Sequence, residues 1–189
     1  RIIKTLIIKL KDIIETDKLD KFEKAISDFY CAKDNDVENY LKTKAITHEQ
    51  KSKSRTYLII DTEKLEQNSE ICILAYFTIA NKTLFIDEET VSRTTVKKLD
   101  GLSKNKTELP SYLIGQIGKN DQYSDLISGD EIINYAMDVI NQVYELIGGR
   151  FVLIECNDHP KLISFYEKND FKRLQKDGED GLVQMVRFL

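Results

Sequence analysis

Phe165-Tyr166-Glu167-Lys168-Asn169-Asp170-Phe171 is the stretch that decides the fold. Pro160 opens a short helix whose apolar residues are Leu162, Ile163, Phe165 and Tyr166, and proline is well tolerated in a first helical turn. The heptapeptide therefore reads as a helix end passing into a strand, Phe171 to Leu174. Lys176-Asp177-Gly178 is a hairpin-type turn, after which the chain returns as a strand from Leu182 to Phe188. Upstream, Phe151 to Ile154 is a continuous apolar run, the pattern of a strand buried on both faces. Before it lies a long amphipathic segment, Gly129 to Ile147, with Ile132, Ile133, Ala136, Met137, Ile140, Val143, Tyr144 and Ile147 at helical spacing. Ser128 as N-cap with Glu131 at the third helical position is a capping-box pattern, and Gly148-Gly149 ends the helix. Pro110 opens a strand at Tyr112 to Ile117, and Lys119 to Ile127 is a turn region. Strand, helix and strand make a crossover unit, hence a parallel strand pair.

Working back to the N-terminus, Ile2 to Leu10 predicts a strand with Leu6, Ile8 and Leu10 on one face. Asp17 to about Tyr30 predicts an amphipathic helix carrying Leu19, Phe22, Ile26 and Phe29. A second helix is expected from Asp36 to about Lys51, with Val37, Tyr40, Leu41 and Ala45. Arg55 to Asp61 and Ile71 to Ile79 read as an antiparallel strand pair joined by a polar turn region, Glu63 to Glu70. Asn81 to Leu109 is polar and carries Arg93, Lys97, Lys98, Lys104 and Lys106; Val91 to Leu99 suits a short helix. No repeat, low-complexity tract or linker divides the chain, so residues 1–189 read as a single α/β domain.

Bulk properties narrow the class. The chain has 189 residues, 41% hydrophobic and 32% charged, an ordinary globular composition with room for a sizeable core. A net charge of −4 argues against a whole-protein nucleic-acid binder but leaves room for a local basic patch. Cys31, Cys72 and Cys156 are odd in number and widely spaced, which reads as buried reduced thiols rather than a disulfide framework. With only His48 and His159, and no Cys-x-x-Cys or His-Glu-x-x-His pattern, no metal site is expected. Lys4, Lys9 and Lys11 interrupt the apolar N-terminal residues, and no run approaches the ~20 residues of a membrane span. The chain opens on Arg1 rather than Met, which reads as a trimmed start; no signal-peptide pattern is seen, and the expected compartment is the cytoplasm.

The element order, together with the heptapeptide, resembles the GNAT N-acetyltransferases. Phe165 to Phe171 is similar to that family's FYEKxGF segment, with Asp170 where Gly is usual. Asp is a tolerable substitute in a left-handed turn. Gly149-Arg150-Phe151-Val152-Leu153 resembles the strand entering that motif, and Gly129-x-x-Ile132-Ile133-x-x-Ala136 resembles the opening of the family's long helix. The resemblance is carried by motifs from Tyr112 to Phe188 and by element order alone before that. It implies a mixed, mostly antiparallel central sheet, a parallel strand–helix–strand cofactor unit, and helices on both faces.

The same resemblance implies an acetyl-CoA-dependent transferase acting on a primary amine. In the family a loop of the form Arg/Gln-x-x-Gly-x-Gly/Ala opens the long helix and aims backbone N–H groups at the CoA pyrophosphate. Aligned on Gly129, this chain offers Ser124, Ile127 and Gly129, so only the last position matches. Ser128, Gly129 and the first-turn amides keep donors, Ile127 adds β-branched bulk, and Asp130 and Glu131 bring negative charge to the same place. Ile117, Gly118 and Lys119 would supply the backbone groups that bind pantetheine and polarise the thioester. Tyr166 would be the acid for the departing thiolate: an unperturbed Tyr, with a pKa of about 10, stays protonated at neutral pH. Its alternative role is ring packing with a wet hydroxyl. For the base, Glu155, Asp61 and His159 are candidates by type, while Cys156 reads as core filler before nucleophile.

Tyr112-Leu113-Ile114-Gly115-Gln116-Ile117-Gly118-Lys119, with the FYEK segment, further resembles the acetyltransferase toxins of bacterial toxin–antitoxin modules, which modify aminoacyl-tRNA. Basic residues from Lys42 to Arg55 and from Arg93 to Lys106 are candidates for RNA phosphates, or a solvated face. Peptide and small-amine acceptors stay open, as does a homodimer. The rival class is a catalytically silent GNAT-fold binding module, motivated by the missing loop residues.

Overall fold

The apolar alternation at the start of the chain forms β1 (Thr5–Lys9), which begins after Lys4 and ends one residue before the expected Leu10, because Leu10 is wholly buried as the first residue of helix α1 (Leu10–Glu15). The computed structural model describes residues 4–189, so the expected strand start at Ile2 lies outside the described residues. Among the described residues seven strands form one mixed sheet, in the order β1, β2 (Arg55–Asp61), β3 (Ile73–Phe85), β4 (Glu108–Lys119), β5 (Phe151–Cys156), β7 (Val183–Phe188), β6 (Lys172–Lys176). The chain divides into two compact units, Arg1–Ile79 with Gln116–Ala136, and Ala80–Gly115 with Met137–Leu189.

In the first unit, the expected helix from Asp17 is α2 (Leu19–Ser27), which buries Phe22, Ala25 and Ile26; Asp17 itself takes a left-handed turn at φ 52. The second expected helix is present but interrupted. It runs as α3 (Asn35–Asn39), a π-helical turn (Tyr40–Lys44) and α4 (Ala45–Gln50). Asp34 caps its start by accepting from the N–H groups of Asp36 and Val37 at 3.0 and 3.2 Å. β2 (Arg55–Asp61) pairs antiparallel with both β1 and β3 (Ile73–Phe85), with a bulge at Ile59/Ile60. The polar stretch between β2 and β3 is a helix, α5 (Thr62–Asn68), where a turn is expected from composition. Its cause is Asp61, whose carboxylate accepts from Glu63 and Lys64 N–H at 2.9 and 3.2 Å, and Ser69 closes it at φ 54. The core here joins Leu10, Phe22, Phe29, Leu41, Leu58 and Tyr76.

In the second unit, the polar excursion Asn81 to Leu109 holds the end of β3 and helix α6 (Arg93–Asp100), close to the expected Val91–Leu99. Ser92 caps α6, Gly101 ends it at φ 90, and Val96 and Leu99 face the core. β4 (Glu108–Lys119) begins before Pro110, which lies inside the strand rather than at its start. Helix α7 (Gly129–Ile147) has the expected bounds, and Gly148 and Gly149 leave it with φ 71 and 149. Gly149 is required by contact as well: a Cβ there would lie 2.4 Å from the Tyr112 ring. β5 (Phe151–Cys156) pairs parallel with β4 and antiparallel with β7 (Val183–Phe188); β6 (Lys172–Lys176) is joined to β7 by the Asp177 turn. Between β5 and β6 lies α8 (Pro160–Lys168). Leu84, Val96, Leu99, Leu109, Phe151, Leu153 and Val186 share one cluster.

Candidate functional site

In the first unit, β4 ends on Ile117, Gly118 and Lys119, and the reason for Gly118 is packing. A Cβ at Gly118 would lie 2.5 Å from Val37 Cγ1 and 2.6 Å from Tyr76 Cε1. Tyr76 is fully buried and donates its hydroxyl to the Val37 carbonyl at 2.5 Å. Burial pushes the Tyr76 hydroxyl far above the usual phenol range, so it serves as a fixed donor. Lys119 donates Nζ to the Ser124 carbonyl at 3.1 Å and so closes the loop after the strand. Buried Asn120 ties the loop down: its side-chain amide donates to Ile73 O at 2.9 Å, and its oxygen accepts from Gln122 N–H at 3.1 Å.

The degenerate loop adapts in two ways. Ile127 stands where the family's glycine is usual, and its side chain is 3% exposed, so its bulk is directed into the interior rather than over the helix end. No residue from Ser124 to Ser128 has a positive φ, so this backbone has no call for glycine. The capping box forms as expected and has a cost for anion binding. Glu131 N–H donates to Ser128 Oγ at 3.2 Å, and the Glu131 carboxylate accepts from Ser128 N–H and Oγ, each at 2.8 Å. The Ser128 amide, expected as a ligand donor, is thus occupied. An anion here would draw on Gly129 and Asp130 and would meet the Glu131 carboxylate.

In the second unit, the β4–β5 parallel ladder pairs Tyr112 with Val152, Leu113 with Leu153 and Ile114 with Ile154. Past it, Glu155 and Cys156 continue β5 against Gln184 and Val183 of β7. The FYEK segment folds as read. Tyr166 O accepts from Asn169 and Phe171 N–H at 3.0 and 3.1 Å, and Asn169 Nδ2 donates to Phe165 O at 2.9 Å. Asp170 adopts the left-handed conformation at φ 67 that the glycine of the resembled motif would take. Tyr166 is 7% exposed, its ring edge-on to Phe171 at 6.0 Å and tilted against Phe165 at 5.2 Å. The ring-packing role is therefore present whatever the hydroxyl does.

The base candidates each have another employment. Asp61 caps α5, and His159 caps α8 by accepting Lys161 N–H at 3.3 Å. Glu155 holds Lys82 Nζ with both oxygens, at 2.7 and 2.8 Å, and Oε1 also accepts from Gln184 Nε2 at 2.8 Å. Burial, with the Asp158 carboxylate adding, pushes the Cys156 thiol up to about 11, so it is not a thiolate nucleophile at neutral pH. Lys82, Gln175 and Gln184 are absent from the sequence reading. Gln175 Nε2 donates to Gln184 Oε1 at 2.7 Å and to Phe85 O at 2.6 Å, and Gln184 also reaches Asp177 at 3.0 Å. The signal was Gln184 inside the apolar strand β7, in register with Glu155 of β5 and Gln175 of β6. Among the described residues no group of metal-ligating side chains assembles, and no helix is long and apolar enough to cross a membrane.

No protein-family model and no curated protein matches the chain by sequence. Solved structures match it throughout. AtaT complexed with acetyl-methionyl-tRNAfMet aligns with a TM-score of 0.69 at 17% identity, covering 96% of this chain and 94% of that one. A mutant of KacT aligns with a TM-score of 0.70 at 17% identity, covering 97% and 95%. A mutant AtaT toxin bound to the C-terminus of the antitoxin AtaR and acetyl-CoA aligns with a TM-score of 0.65 at 13% identity, covering 97% and 92%. At these identities the likeness is one of fold, and it agrees with the element order and with the parallel pair β4–β5. The chain has the GNAT fold, which it shares with AtaT and KacT.

Proposed function

We propose that the chain is an acetyl-CoA-dependent N-acetyltransferase acting on a primary amine, and that the amine is carried by an aminoacyl-tRNA. The observation that carries the reading is the GNAT fold with its parallel pair β4–β5, in register from Tyr112–Val152 to Ile114–Ile154. By that resemblance an extended pantetheine arm, with its own amides, would pair with backbone groups at the end of β4. The residues that would hold the donor are Ile117, Gly118 and Lys119 along β4, and Ser124, Ile127, Ser128, Gly129 and Asp130 at the loop and helix start. Acetyl-CoA supplies an activated thioester; the protein's part is to orient it and to manage protons. Tyr166 is the donor for the sulfur.

The tRNA-linked acceptor is supported by the fold shared with AtaT, whose structure holds acetyl-methionyl-tRNAfMet. Basic residues that could meet its phosphates lie in both stretches: exposed Lys44, Lys51 and Lys53 in the first, and Lys97 and Lys98 in the last turn of α6 in the second. The capping box, which occupies the Ser128 amide, favours the silent binding module instead. One chain, residues 1–189, would carry all of this as a single catalytic domain.

The test has two steps. Calorimetric titration with acetyl-CoA should show binding; none in a folded sample would leave the silent reading. Tyr166→Phe should then lower transfer to methionyl-tRNA by about 100-fold, the scale of one general acid, with acetyl-CoA affinity unchanged. Equal turnover in the variant would remove Tyr166 from the chemistry.

A further inference from the structure

A polar cluster interrupts the apolar core of the first unit. The face of β2 that carries Leu58 and Ile60 into that core turns polar at Thr56, which pairs with Thr78 of β3, and both threonines are buried. The π-helical turn opens on Tyr40, whose hydroxyl lies 2.8 Å from Ser54 Oγ and 3.2 Å from His48 Nδ1. Thr56 turns its own hydroxyl towards that of Tyr40 but makes no hydrogen bond, and among the described residues it is the one buried side-chain polar atom left so. We propose that this cluster receives the acceptor's primary amine and carries its proton away, with Ser54 and Thr56 at the amine and His48 at the far end of the relay. The inference rests on the acetyl-CoA reading above and deepens it. Its residues, and those assigned there to hold the donor, all lie in the first unit.

Four features support it. A buried hydroxyl without a partner destabilises a fold, and a ligand that completes its bonding explains why Thr56 is there. The place fits as well. The Tyr40 ring lies parallel to that of Tyr76 at 6.4 Å, and Tyr76 is the ring that a Cβ at Gly118 would strike, so the cluster stands one aromatic ring from Gly118. The chemistry suits a relay: hydroxyls donate and accept at once, and a neutral imidazole accepts at Nδ1 while its other nitrogen carries the proton. Burial holds the Tyr40 phenol above its ordinary range, so it passes a proton without standing ionised. Finally, the nearby Glu49 carboxylate is no rival base, because it is buried and committed to Arg55 Nη1 and the Thr56 N–H, each at 2.8 Å.

The step balances. The acceptor arrives as an ammonium and donates one N–H to Thr56 Oγ1. It gives a proton to Ser54 Oγ as Ser54 passes its own to Tyr40 and Tyr40 its own to His48 Nδ1; the imidazolium returns a proton to water. The freed lone pair forms the N–C bond to the acetyl carbonyl as the C–S bond breaks. The second proton lost by the nitrogen replaces the one taken up by the sulfur. The products are the acetylated amine, the CoA thiol and one proton in solvent.

The test measures initial rates of transfer from acetyl-CoA to methionyl-tRNA by the full chain and its variants, with calorimetry of acetyl-CoA binding alongside. His48→Ala should lower kcat by about 100-fold at unchanged acetyl-CoA affinity, and added free imidazole should restore about tenfold of it. His48→Gln, which keeps a hydrogen-bonding group beside Tyr40, should fold as the parent does and lose kcat to the same extent. Thr56→Val separates ligand binding from support of the fold. Removing the orphaned hydroxyl should raise the melting midpoint by about 2–4 °C and yet raise KM for methionyl-tRNA about tenfold, with kcat little changed. A parent that transfers acetyl, with parental KM in Thr56→Val, parental kcat in His48→Gln, or no imidazole rescue of His48→Ala, overturns this inference and leaves the proposed function standing. A destabilised Thr56→Val refutes it too, since the hydroxyl would then already have a partner. A folded parent that makes no transfer overturns both.

Discussion

Gly118→Ala adds one methyl group at a place with no room for it. The new Cβ would sit 2.5 Å from Val37 Cγ1 and 2.6 Å from the Tyr76 ring, well inside van der Waals contact. Neither neighbour is a loose chain end. Val37 is buried on α3, and Tyr76 is fully buried and edge-on to Phe29 at 5.4 Å. Overpacking a tight core costs about 1–3 kcal/mol. A displaced Tyr76 ring also loses its hydrogen bond to Val37 O, and a buried hydroxyl without a partner costs about 1–3 kcal/mol more. Taking about 3 kcal/mol for the pair, and about 2–4 °C per kcal/mol at this chain length, the melting midpoint should fall by roughly 6–12 °C. Differential scanning calorimetry reads this directly. The rescue is specific: Val37→Ala removes Cγ1 but keeps the backbone carbonyl that Tyr76 uses. The double variant should therefore lose less than the sum of the two single losses. A Gly118→Ala midpoint within about one degree of the parent, or strict additivity with Val37→Ala, would show that Gly118 is not packed as described.

Further expectations follow from the helix ends and the buried thiol. Asp170→Gly should raise stability by about 1 kcal/mol in urea unfolding, because glycine takes the φ of 67 without the Cβ penalty; a loss would show that the weak Asp170–Arg187 contact at 3.8 Å outweighs the strain. Glu131→Gln keeps an oxygen acceptor for Ser128 but removes charge from the helix start, so acetyl-CoA should bind about two- to fivefold more tightly by calorimetry. Unchanged affinity would place the pyrophosphate elsewhere. The Cys156 thiol is raised to about 11 from an ordinary 9.0, so its contribution to stability is complete below about pH 9 and is lost as pH rises towards 11. Melting midpoints should decline over that window, less so in Cys156→Val, whose equal decline would discount the thiol.

The sequence determined the element order of the C-terminal half and the bounds of its long helix, while β4 runs from Glu108 to Lys119, beyond the expected Tyr112 to Ile117 at both ends. Ser128 with Glu131 and Gly148 with Gly149 set the bounds of α7, and the FYEK segment set the turn into β6, because caps and helix ends are short-range chemistry written in adjacent residues. Composition misled at Glu63 to Glu70, where one upstream side chain, Asp61, organises a polar stretch into a helix. It also missed helix α1 (Leu10–Glu15), which starts at Leu10, a residue expected to end the strand and found wholly buried. What only the tertiary structure decided lies between residues far apart in the chain. Gly118 is read in sequence as backbone exposed to a ligand, yet its requirement comes from Tyr76 and Val37, some 40–80 positions away. Ile127 looks obstructive in a loop until its side chain is seen turned inward. Glu155 looks like an unattached base until Lys82, Gln184 and Gln175 meet it across the strands. Capping and periodicity act over a few residues, so a linear reading captures them; close packing and ion pairing depend on distances that exist only once strands from different parts of the chain lie side by side.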